Sequence, residues 1–216
     1  MHDQVSEIGE LSASPRIFDN NLLDRLSRVH PVVPVLVYAP ATLVLLFLAG
    51  RHLSGAAIAL WLAAGYLIWT LTEYWGHRYA FHTEFPGRLG ARLHFLIHGV
   101  HHFHPSDPLR LVMPPLLSGP IMLAAFALLS LAFGPVLVLP VMAGFILGYL
   151  AYDMLHFHMH NRMPRLAVTR MLRRHHMLHH FRDSTRGFGV SAPWWDHVFG
   201  TAPGLDIRPA AGGPAA

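Results

Sequence analysis

The chain has no cysteine and no lysine, and it is short of charge of either sign: Asp, Glu, Lys and Arg make up only 13 % of its 216 residues. Without cysteine there is no disulfide framework, thiolate metal site, iron–sulfur cluster or cysteine nucleophile, and the redox character of the compartment is not legible. A soluble globular domain carries about 25 % charged residues, so half the usual solubilising charge is missing. Hydrophobic residues reach 53 % and mean hydropathy is +0.37. That composition excludes a disordered or fibrous chain and points to a membrane protein. What the chain has in excess is histidine, 18 residues against 12 Asp plus Glu.

The formal net charge of +4 could mark a nucleic-acid binder, but the positions of the basic residues argue for topology instead. Arg16, Arg25 and Arg28 precede the first apolar run, Arg78, Arg88, Arg92 and Arg110 lie in a central segment, and eight more fall between Arg162 and Arg208. Only Arg51 lies elsewhere. Residues 32–50 and 54–72 contain no charge, and neither does the stretch from 111 to 152. That last stretch is too long for one span of about 20 residues. Gly134-Pro135, backed by Pro140, is its natural turn, giving spans at 116–133 and 135–152.

The expected fold is an all-α integral membrane protein, with four transmembrane helices in two hairpins and a helical cap. By the positive-inside rule both termini, the 73–115 segment and the cap are cytoplasmic. No cleavable signal is expected, because Asp3, Glu7, Glu10, Asp19 and Asp24 interrupt the first 30 residues. Residues 15–30 set Ile17, Phe18, Leu22, Leu23 and Leu26 among polar neighbours, which suits a short interfacial helix or a solvated arm. A single domain over 1–201 is expected, with a disordered Pro/Gly/Ala-rich tail at 202–216.

None of the four apolar cores contains a histidine. The histidines cluster where helix continues beyond a span: His77 and His82; His94, His98, His101, His102 and His104; His156, His158 and His160; His175, His176, His179 and His180. A helix advances about 100° per residue, so positions i, i+3 and i+4 share a face. His98, His101 and His102 therefore point one way, as do His176, His179 and His180, and His156 with His160. His77 and His82 are about 140° apart on an ideal helix and need a bend between them. Imidazole is the commonest protein ligand for zinc, iron and copper. Ten imidazoles are too many for one such ion and fit a binuclear site.

The off-phase His104, His158 and His175 are expected outside the ligand set. His94 shares the face of His98 and is read as a neighbour of the ligands or part of a substrate mouth. His2, His30, His52 and His197 are not expected to ligate. Ligating imidazoles usually give their other N–H to a carboxylate or carbonyl. Glu73, one turn before His77, and Asp153, three residues before His156, are candidates to orient the ligands, with Asp196 and Asp107 weaker ones.

These residues resemble the membrane fatty acid hydroxylase/sterol desaturase superfamily, and most of all its fatty acid 2-hydroxylases. The likeness rests on His77–His82 (HRYAFH), His98–Pro115 (HGVHHFHPSDPLRLVMPP), Tyr152–His160, His176–His180 and Gly187–Thr201 (GFGVSAPWWDHVFGT), with Ser14–Asp19 (SPRIFD) before the first span. The histidine pattern marks the superfamily, and the HGVHH…DxxRLVMPP segment narrows it.

The resemblance implies an oxygen-dependent hydroxylase acting at carbon 2 of a fatty acid or sphingolipid-type acyl chain. It places metal ligands on the same ten histidines and implies iron for activity, with zinc able to occupy the site. Relatives with an amino-terminal haem domain supply their own electrons. Only about 30 residues precede the first span here, so a separate cytochrome- or ferredoxin-type donor is expected, with no nucleic-acid partner. The rival readings are a sterol- or carotenoid-modifying oxygenase of the same superfamily and a zinc-dependent lipid hydrolase. A metal transporter is disfavoured, because transporters carry ionisable residues near the bilayer midplane and these cores have none.

Overall fold

The computed structural model describes residues 11–83 and 85–204; the ten amino-terminal residues, with His2, and nearly all of the expected tail lie outside them. A short helix α1 (Asn21–Leu26) starts where the Asn20 side chain accepts the N–H groups of Leu22 and Leu23, as an N-cap does. After it come α2 (Val32–Gly50) and α3 (Gly55–Trp75), the latter capped by Ser54. Beyond Trp75 the same rod continues as a π-helical turn, Gly76–Phe81. A second π turn, Phe95–Gly99, joins α4 (Gly87–His94) to α5 (Val100–Phe103). The long α6 (Pro115–Asn161), α7 (Ala167–Phe181) and α8 (Trp194–Val198) complete the described elements, among which there is no strand.

Among the described residues, three helices are long and apolar enough to cross a membrane: Val32–Gly50, Gly55–Phe81 and Pro115–Asn161. The third is not one straight rod. Gly134 interrupts it with φ 73° and ψ 176°, a conformation open in practice only to glycine. Tyr38 packs edge-on against Tyr149 at 5.3 Å while its hydroxyl lies 2.7 Å from Ser118 Oγ. On a straight helix residues 118 and 149 would be about 46 Å apart, so the chain doubles back at Gly134. The Gly-Pro punctuation thus sits at the turn the sequence marks.

α3 and the second half of α6 touch backbone to backbone. A Cβ on Gly65 would lie 1.9 Å from the Val141 carbonyl oxygen, and one on Gly144 would lie 1.9 Å from that of Leu62. Small residues at such a crossing let helices approach where lipid offers no hydrophobic drive. Around that contact Trp69, Phe145, Ile146, Tyr149 and Leu150 pack with Tyr38 and Met122. This core fixes the lower ends of α3 and α6, from which His77, His156 and His160 project.

Candidate metal centre

The ends of α3, α6 and α7 and the 95–103 segment bring ten imidazoles together in two groups of five: His77, His82, His98, His102 and His179, and His101, His156, His160, His176 and His180. Within each group one nitrogen per ring lies within 4.8 Å of all the others. All ten histidines singled out from helical phase and resemblance are in these groups, whereas His94, His104, His158 and His175 are not. His94 is half-buried at the end of α4, and His158 lines a separate surface groove with Arg162 and Met163.

The π turn supplies the bend that HxxxxH needs. Its i→i+5 hydrogen bonding returns to the same face about every fifth residue, and the Nε2 atoms of His77 and His82 come to 3.2 Å. The triplets do not act as units. His98 stays with His102, and His176 with His180, but His101 and His179 each cross to the other group. Each half of the chain, before and after Gly134, therefore keeps four imidazoles in one group and lends a fifth to the other.

The nitrogens fit a metal. Neighbouring Nε2 atoms are 3.1 Å apart in His77–His98, 3.0 Å in His98–His102 and His101–His156, and 2.9 Å in His160–His176. Two nitrogens each about 2.1 Å from one cation, at right angles to each other, are about 3.0 Å apart. His179 Nε2 is buried without a protein partner, which leaves its lone pair free for an ion. Burial keeps the rings in the neutral, ligating form. It pushes the His98, His101, His176 and His180 imidazoles well below their usual range, with the neighbouring imidazoles adding to the effect. It takes His82 down to about 3 and His102 to about 4.

The segment 186–201 has no histidine in either group yet packs over the first one. His77 Nδ1 donates to Phe188 O at 2.8 Å, and His179 Nδ1 to Arg186 O at 2.7 Å. Sequence reading missed both partners, because a backbone carbonyl has no side-chain signature. Glu73, expected to orient His77, instead accepts the N–H and hydroxyl of Ser191; it fastens the segment that carries Phe188. Asp196 is fully buried and accepts four hydrogen bonds, from Phe188 N, Gly189 N, Thr201 Oγ1 and His175 Nε2. Burial raises its carboxyl, but these donors outweigh burial and hold it below the usual carboxylate range. Asp107 serves the turn into Arg110, accepting from Leu109 N and the Arg110 guanidinium.

A cavity of about 380 Å³ opens beside the cluster. Its walls are mostly apolar, among them Leu23, Phe81, Ile97, Val112 and Leu117, and at one side they include His98, His101 and His156. Asp153 also faces it, with both carboxylate oxygens buried and only the Tyr149 hydroxyl and the Met113 backbone near them. The segment expected to be interfacial, Ile17 to Ser27, forms part of the same wall.

Fold and cluster together define a helical membrane protein with a histidine-rich site able to hold metal ions. A sequence model described as fatty acid hydroxylase matches residues 62–201, and the chain belongs to that family. It is 35 % identical over 192 residues to the Arabidopsis thaliana dihydroceramide fatty acyl 2-hydroxylase FAH2, covering 88 % of this chain and 81 % of the relative. To the Saccharomyces cerevisiae ceramide very long chain fatty acid hydroxylase SCS7 it is 35 % identical over 201 residues, spanning half of that protein's length. The solved structure described as full length scs7p, with only the hydroxylase domain visible, superposes with a TM-score of 0.81 at 33 % identity, covering 88 % of this chain and 72 % of that one.

Proposed function

We propose that the protein is an oxygen-dependent hydroxylase of the membrane that places a hydroxyl group on carbon 2 of a fatty acyl chain, free or in a ceramide-type amide. The observation that carries this reading is the ten-imidazole cluster, three of whose rings, His98, His101 and His156, line one side of an apolar cavity. In this reading His77, His82, His98, His102 and His179 hold one metal, and His101, His156, His160, His176 and His180 the other. Five nitrogens exceed the four ligands usual for structural zinc and suit iron as the working metal, although zinc can occupy imidazole sites. When bound, such a redox pair supplies the activation of dioxygen that an unactivated C–H bond requires.

The chain's own residues do the rest. Phe81, Ile97, Val112 and Leu117 hold the acyl chain and exclude water. Asp153, one helical turn before His156, offers its buried oxygens to an N–H or O–H of the head group, so the carbonyl end and carbon 2 rest against the cluster. Hydroxylation consumes dioxygen, two electrons and two protons and releases water, and we assign the electrons to a cytochrome- or ferredoxin-type donor. In this reading the three apolar helices form four membrane spans, supported by the reversal at Gly134. A cytoplasmic centre is part of the same reading, supported by the Arg distribution.

The test is mass spectrometry of lipids from expressing cells grown with and without oxygen, beside metal analysis of anaerobically purified protein. Oxygen-dependent 2-hydroxy acyl lipid is expected. Hydroxylation at another carbon, product confined to sterols or carotenoids, or lipid hydrolysis without oxygen would each overturn the reading.

A further inference from the structure

We infer that the two five-imidazole groups are unequal metal sites, and that Asp196 makes the first the tighter by fixing the segment that orients His77 and His179. The inference rests on the two-metal reading above. It starts from a contrast between the groups. A carbonyl oxygen can only accept, so the bonds to Phe188 O and Arg186 O place the protons of His77 and His179 on Nδ1. That choice leaves Nε2 of each ring unprotonated and aimed into the first group. In the second group the Nδ1 atoms of His156, His176 and His180 are buried with no protein partner. Among the described residues, no protein group orients those three rings through the far nitrogen. A partner on the far nitrogen of a ligating imidazole typically changes metal affinity by about 10–100-fold.

The orienting carbonyls are only as fixed as the segment that bears them, and one carboxylate holds that segment. Oδ1 of Asp196 accepts Phe188 N at 2.9 Å and Thr201 Oγ1 at 2.8 Å; Oδ2 accepts Gly189 N at 2.8 Å and His175 Nε2 at 2.9 Å. Phe188 is therefore gripped by its N–H while its carbonyl grips His77. Through His175 the same carboxylate is also tied to α7, which carries His179 of the first group with His176 and His180 of the second. Its selectivity for the first group therefore comes from the Phe188 and Arg186 carbonyls. Thr201 closes the arrangement, with its N–H on Asp196 O at 2.7 Å and its carbonyl accepting Gly187 N at 2.8 Å. Asp196 touches neither group itself, so it is a positioning residue.

The test is anaerobic titration of chelator-stripped full-length protein with Co(II), followed by visible absorbance and by metal content after desalting. The native chain is expected to take up two ions in two steps at least about tenfold apart in affinity. Asp196→Asn, which replaces one acceptor oxygen by a donor NH₂, is expected to weaken the tighter step by about 10–100-fold and leave the weaker step and its spectrum unchanged. Thr201→Val removes one of the four donors and is expected to shift the same step by less; it decides the matter if Asp196→Asn does not fold. Two equal steps in the native chain, or variants that weaken both steps alike, would overturn the inference while leaving a two-metal centre standing. Failure of the native chain to bind Co(II) would overturn both.

Discussion

His156, His158 and His160 alternate with other residues within one five-residue stretch of α6, yet only the outer two enter the second group. His156→Ala or His160→Ala is expected to abolish nearly all 2-hydroxylated lipid and lower metal content, whereas His158→Ala keeps most of both; lipid mass spectrometry with metal analysis compares them. Asp153 offers a different contrast. A carboxylate buried with so few donors costs stability, which is consistent with its being kept for function. Asp153→Asn is expected to raise the thermal midpoint and retain the metal, while product falls at least about tenfold. A lower midpoint with metal loss would make Asp153 structural instead. At this scale the sequence was legible for His98 with His102, His156 with His160 and His176 with His180, because i and i+4 share a face, although the same spacing did not bring His94 or His175 into either group. It was not legible for His101 and His179, since the phase of one helix does not say which neighbour a ring on its edge will meet.

The π turn at Gly76–Phe81 makes an element-scale prediction of its own. Deleting the exposed Ala80 turns HxxxxH into HxxxH, a spacing that an ordinary α-helix presents on one face. Inserting an alanine after Ala80 makes a spacing that neither helix type satisfies. The deletion is therefore expected to keep most of the bound metal and the insertion to lose that of the first group, as metal content per chain would report. The HxxxxH spacing already required an irregularity between His77 and His82, although its kind depends on what α3 packs against. The apolar helices were legible from absent charge, and the reversal from Gly134-Pro135. The segment 186–201 showed itself only through resemblance, because its contribution is made by carbonyls that every residue has.

For the whole molecule, the absence of cysteine allows single thiols to report sidedness without interference. His52→Cys and Leu89→Cys, both at exposed positions, are expected to label from opposite faces of sealed vesicles with a membrane-impermeant reagent. Labelling from the same face would refute the four-span arrangement. Leu89 is preferable to its neighbour Gly90, where a Cβ would meet the Phe85 carbonyl oxygen at 2.3 Å.

The exchange of His101 and His179 between the halves of the chain has a mechanical consequence. An ion in either group would be bonded at once to residues before and after Gly134, and so would cross-link the two hairpins in a chain that has no disulfide to do it. The bridged stretches are long, 55 residues from His101 to His156, and closing a long loop restricts the unfolded chain. Stripping the ions is therefore expected to lower the melting midpoint, observable by scanning calorimetry in detergent, while the core of Tyr38, Trp69, Phe145 and Tyr149 shared by the two hairpins still holds them together. A midpoint unmoved by metal removal would mean that packing alone joins the halves. In this protein the centre would then be a clasp as much as a reagent, and an ion lost from it would weaken the hold of one half of the molecule on the other.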